Sequence, residues 1–176
     1  MAHRTLLVVL LACILMPATL MAKEARNMAE LIITSPAFAH KATIPDRYTC
    51  DGRDISPPLL IDAVPGGARS LALIMDDPDA PAGTWVHWVV WNIPLHIREI
   101  KEQSLPAGAV QGLNDWQRNC YGGPCPPSGS HRYFFKLYAL DTTLNLPQST
   151  TKADLERAMQ GHIVAQGELM GTYRRK

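Results

Sequence analysis

The chain has almost no excess of charge. Its 17 Lys and Arg are matched by 16 Asp and Glu, a formal net charge of +1 with histidine neutral. That balance argues against an electrostatic nucleic-acid binder, which needs a basic face. After the first residues, no apolar segment reaches the roughly 20 residues that a helical membrane span requires. There is no Cys-x-x-Cys, so a structural zinc or redox motif has little support. The Gly-x-Ser-x-Gly elbow of many serine hydrolases is missing, and so is the Gly-Lys-Ser/Thr ending of a phosphate loop. Internal repeats, low-complexity tracts and interdomain linkers are also absent.

What is present begins with an export signal. Arg4 precedes an apolar run from Leu6 to Met16, Pro17 breaks it, and Ala18 and Ala22 are small residues suited to a peptidase. Cleavage after Ala22 is the preferred site and Ala18 the alternative. Residues 1–22 are thus read as a signal peptide and 23–176 as one domain, giving a periplasmic or secreted protein. The 154 residues left are enough for one substantial core. Three cysteines remain: Cys50, Cys120 and Cys125. Export makes one disulfide plausible and leaves one thiol over. The reading leans to Cys50–Cys125, with Cys120–Cys125 as a short-loop alternative.

The repeating pattern is strand. Leu31–Thr34, Leu59–Ile61, Ser70–Met75, Trp85–Ile93, Arg132–Leu140 and Ile163–Tyr173 are apolar, aromatic or β-branched runs. Fourteen prolines lie largely between them. One helix is expected after Thr151, which can cap it with Asp154 three residues on, and it should end near Gly161 or His162. Gly167 and Gly171 suggest bulges in the last strand. The result is a mainly β domain.

Two polar clusters interrupt these strands. The first is Asp76-Asp77-Pro78-Asp79-Ala80-Pro81, followed by Trp85-Val86-His87-Trp88. The second runs from Gly122-Gly123-Pro124-Cys125-Pro126-Pro127 to His131-Arg132-Tyr133. Side chains alternate along a strand, so Trp85 and His87 share a face, as do His131 and Tyr133, while Arg132 points the other way. An isolated Asp-Pro-Asp is usually just a turn. His87 lies in an apolar strand and needs a partner. A core histidine bonded to a carbonyl is the ordinary explanation, but a second His/Tyr pair at the next loop favours a shared pocket. Imidazoles and a phenol can donate to an oxyanion, and a neighbouring acid orients or charges an imidazole.

Together the clusters resemble the phosphatidylethanolamine-binding protein family, in its bacterial Raf-kinase-inhibitor-like (YbhB/YbcL) branch, from about Leu31 to Tyr173. The resemblance implies a large antiparallel sheet packed with a smaller sheet, plus one or two peripheral helices. It implies a small anion-binding pocket lined by Asp77, His87, Pro127, His131 and Tyr133, with Trp85 at its wall and Asp79 holding the loop. It also implies a cis peptide between Ala80 and Pro81. No cofactor or metal is implied. The expected function is a non-enzymatic binder of a small anion or phospholipid headgroup, with a role in modulating a kinase or other signalling partner. Serine-protease inhibition through an exposed loop is the alternative, and a hydrolase using the Asp/His cluster is a third reading. Two His and two Asp also form a metal-ligand set, though without a recognised spacing. Asp115 and Trp116 stand close to the second cluster and are left unassigned.

Overall fold

The computed structural model describes residues 29–175, so the proposed signal peptide lies outside the described residues. Among the described residues, nine strands and one α-helix follow in order: β1 Ala29–Glu30, β2 Ile32–Thr34, β3 Leu59–Asp62, β4 Ser70–Asp77, β5 Trp85–Ile93, β6 Glu99–Ile100, β7 Val110–Gln111, β8 Ser130–Leu140, α1 Lys152–Met159 and β9 Ile163–Arg174. They form a six-stranded sheet, β1-β9-β8-β4-β5-β7, and a three-stranded one, β2-β3-β6. Pairings between these strands are antiparallel except that of the short edge strand β1, which runs parallel to β9.

The small sheet covers the front of the large one. Leu31, Ile33, Leu59, Ile61 and Ile100 pack with Leu71, Leu73, Met75, Trp88, Phe135 and Leu137. The helix covers part of the back, where Leu155 and Met159 meet Ala72, Ile74, Val89 and Trp91. Every residue of β4 is buried because both faces are covered, which explains its unbroken apolar run. Burying such side chains supplies about 1.5–3 kcal/mol each. Helix α1 starts as expected: Thr151 and Asp154 form a reciprocal capping box, and Gly161 at φ +80° follows its end. On the back face, Asp76 is fully buried and its Oδ2 accepts from Lys136 Nζ of β8 at 2.8 Å and Lys152 Nζ of α1 at 2.5 Å. These bonds tie the first turn of the helix to the sheet.

Two expectations are corrected. No described peptide bond is cis, so the bond before Pro81 is trans. The loop reverses instead through a turn closed by the Gly83 amide donating to the Ala80 carbonyl at 3.0 Å, with Gly83 at φ +102°, a conformation glycine adopts freely. Gly167 and Gly171 do not mark bulges. The β8–β9 ladder is continuous from Ser130↔Arg174 to Ala139↔Ala165, and its register shifts only beyond Ala139. These glycines make room: a Cβ on Gly167 would stand 1.8 Å from the Leu31 carbonyl oxygen, and one on Gly171 would stand 2.5 Å from Ile44 Cγ1.

Candidate functional site

The site is built where β4, β5 and β8 end side by side. Asp77 is the last residue of β4 and pairs with Trp85, the first of β5. Two residues on, the β4–β5 register shifts: Met75 faces Trp88 but Asp76 faces Val86, leaving His87 as an extra residue. This is a β-bulge, and it puts two consecutive side chains on the same face. Trp88 enters the front core, while His87 beside it reaches the cavity. The bulge therefore supplies a histidine without removing a tryptophan from the core.

A cavity of about 220 Å³ is lined by Asp77, Ala80, Pro81, Ala82, Trp85, His87, Cys125, Pro126, Pro127 and His131. Among the described residues, none of its lining is Lys or Arg. A larger depression of about 590 Å³ lies over Leu31–Ile33 and the adjoining β8–β9 surface. It holds no histidine, so the smaller cavity is the better candidate for chemistry.

Each imidazole is fixed by its Nδ1. His131 Nδ1 lies 2.7 Å from Asp77 Oδ2, and both residues are buried. His87 Nδ1 lies 2.7 Å from the Gly122 carbonyl. Carbonyls and carboxylates accept, so Nδ1 carries the hydrogen in both rings and Nε2 is the nitrogen left for a ligand. Neither Nε2 has a protein partner among the described residues. Burial pushes His87 below the ordinary histidine value of 6.5, against the opposing pull of the Gly122 carbonyl and of Asp77, Asp76 and Asp115.

One residue expected to line the pocket lies elsewhere. Tyr133 does not line the cavity; it is fully buried, with its ring edge-on to His87 at 5.2 Å. Its hydroxyl makes no hydrogen bond of good geometry, although Asp77 and the Cys125 backbone lie close enough to perturb it. Burial first, and then Asp77, raise its pKa well above the usual tyrosine value. Asp79 is outside the lining and holds its loop, the part expected of it. Both its oxygens are held by the Arg132 guanidinium, at 2.7 and 2.9 Å, and Oδ2 also accepts the Arg132 backbone N–H at 2.9 Å. Arg132 points away from the cavity, as strand parity requires.

The second wall is pinned covalently. Cys50 and Cys125 form the disulfide, and Cys120 is free and exposed. Cys125, Pro126 and Pro127 therefore enter the cavity from a tethered segment. Sequence reasoning missed the groups that organise the other approach. Buried Asn114 accepts from the Trp116 and Arg118 amides and donates to the Cys120 carbonyl. This loop holds Trp116 edge-on to Trp85 at 5.4 Å and to His87 at 5.1 Å. Gly122 permits the contact, since a Cβ there would lie 2.6 Å from the Trp116 ring. Asp115, one residue earlier, bonds instead to the Val86 backbone amide. Among the described residues, no three His, Cys, Asp or Glu side chains gather as a metal-ligand set.

The family model described as phosphatidylethanolamine-binding protein matches residues 34–174, a span that includes both polar clusters. The chain belongs to this family. A UPF0098 protein of Methanothermobacter thermautotrophicus is 55% identical over 144 residues, which cover 79% of this chain and 95% of that protein. A solved structure of a family homologue from Chlamydia trachomatis is similar with a TM-score of 0.81 and 44% identity, covering 84% of this chain and 99% of that one. Escherichia coli YbcL, described as a member of the mammalian family, matches with a TM-score of 0.79 and 32% identity, over 84% of this chain and all of that one. The family fold thus accounts for the two sheets and for the strand ends that carry the cavity.

Proposed function

We propose that this chain is an exported, non-enzymatic binding protein for a small anion or phosphorylated headgroup. His87 and His131 contact the ligand, Asp77 fixes His131, and Trp85 and Pro127 form the wall. One observation carries this reading: two imidazoles, each tied back through Nδ1, line a single cavity of about 220 Å³. That volume suits a small headgroup rather than an extended chain. The Asp77–His131 pair resembles the acid–imidazole half of a hydrolytic triad. Yet the cavity lining contains no hydroxyl side chain among the described residues, and its cysteine is oxidised. This favours a binder over a hydrolase. A signalling partner such as a kinase, or a protease, would be met through the outer surface.

Titration calorimetry with inorganic phosphate near pH 6 tests the reading. His87→Ala and His131→Ala should each weaken binding by about 1–3 kcal/mol, the scale of a lost hydrogen bond to a charged group. Unchanged affinity in both variants would overturn it. For export, expression with the complete leader should give a protein whose intact mass begins near Lys23. Met1 retained in a cell-envelope fraction would contradict removal of the leader.

A further inference from the structure

We propose that the cavity takes its anion together with a proton, so that it selects a phosphomonoester over a phosphodiester or a sulfate ester. This rests on the binding reading above and specifies the class of ligand.

The argument starts from the two fixed tautomers. The Gly122 carbonyl has no hydrogen to give, so the His87 hydrogen sits on Nδ1 and a neutral ring presents a lone pair at Nε2. The Asp77 carboxylate imposes the same tautomer on His131. A fully deprotonated oxyanion entering the cavity would meet the lone pair of His87, with the Asp77 carboxylate behind the other ring. No Lys or Arg lines the cavity, among the described residues, to offset that repulsion.

The groups packed around His87 do not change the balance. Asp79 is engaged by Arg132, Asp76 by Lys136 and Lys152, and Asp115 by a backbone amide. Tyr133 and Trp116 flank the ring edge-on and shield it; His87 is 2% exposed while Trp116 is 37% exposed. Burial favours the uncharged ring, in keeping with this enclosure.

One hydrogen resolves the conflict. A phosphomonoester has a second ionisation near 6, so at neutral pH it can hold that hydrogen at little cost. Its P–OH then donates to one Nε2, or passes the proton to that nitrogen and leaves an imidazolium beside the oxyanion. Only an O–H bond is broken and an N–H bond formed, and the total charge of the complex is the same either way. Phosphodiesters and sulfate esters have no such hydrogen near neutrality, so the ring must be charged from solvent against its burial.

The test is calorimetry on the wild-type protein with methyl phosphate, dimethyl phosphate and methyl sulfate. It is run at pH 7.5 and pH 5.5, in buffers of different ionisation enthalpy. Methyl phosphate should bind at least about tenfold tighter than the other two at pH 7.5, as expected for a charge-assisted hydrogen bond. Its binding should take up close to one proton there, and its advantage should shrink at pH 5.5. Equal affinity for all three at pH 7.5, or methyl phosphate binding without proton uptake, would overturn the inference and leave the binding reading standing. No binding by any of the three at either pH would remove both.

Discussion

Arg132 grips Asp79 with its guanidinium and its own backbone amide, and so fastens the loop carrying Ala80, Pro81 and Ala82 to the start of β8. One wall of the cavity is held by an interaction outside it. Asp79→Asn should therefore loosen the wall without touching the ligand, lowering stability by about 0.5–1 kcal/mol, the scale of a partly exposed ion pair. Arg132 holds the Asp79 carboxyl down at about 2, below its ordinary 3.8. The stabilisation is thus complete above pH 3.8 and lost as pH falls toward 2. Acid unfolding curves of wild type and Asp79→Asn should converge over that range. A constant offset down to pH 2 would contradict the assignment.

His87 should titrate below 6.5 when its ring is followed by NMR, because burial disfavours the imidazolium. The unfolded chain then binds that proton more readily than the folded one. Stability is consequently full above pH 6.5 and falls on acidification below it. Trp116→Ala, which opens the ring to water, should move the midpoint upward, and Trp116→Phe should restore much of the original value. A midpoint that Trp116→Ala leaves unchanged would show that Trp116 does not shield the ring.

Loss of the Cys50–Cys125 disulfide should lower stability by about 4 kcal/mol on the chain-entropy account, given a separation of 75 residues. Urea denaturation of the Cys50→Ser/Cys125→Ser double variant reads this directly. Cys120→Ser should leave the unfolding free energy within about 0.5 kcal/mol of wild type, as expected for an exposed position.

Gly167→Ala should cost about 2 kcal/mol or more, because the added methyl would collide with the Leu31 backbone, which cannot swing aside as a side chain can. Gly66→Ala, where nothing lies within 4 Å, is the matched control and should be close to neutral.

Much of this site could be read from the residues because strand alternation is a local rule. It put Trp85 with His87 and set Arg132 apart from His131, and the paired polar clusters pointed to one end of the sheet. The bulge at His87 was not legible, since Trp85–Ile93 contains no glycine to mark an extra residue, and only pairing with β4 reveals it. Alternation also gives a face but not a depth: Tyr133 shares its face with His131 yet is fully buried and stands outside the cavity lining. That Asp79 holds its loop was legible, but its partner Arg132 was not, since the two meet only in three dimensions. The buried Asn114 gave no local signal, because the three partners named above are assembled by a loop with no regular period.

Asp76 and Asp77 are consecutive on β4, yet one carboxylate is held by lysines on the helix side and the other by His131 at the cavity. This adjacency makes the strand intolerant of any change in its reading frame. Deleting one residue upstream within β4 would set the Asp77 carboxylate among Lys136 and Lys152 and leave Pro78 where His131 needs an acid, whereas inserting one would carry Asp76 to His131 and leave Met75 facing the two lysines. A length change in the turn at 65–67 alters no such side-chain parity. Drift in length should therefore be confined to the turns, while β4 is passed on residue for residue.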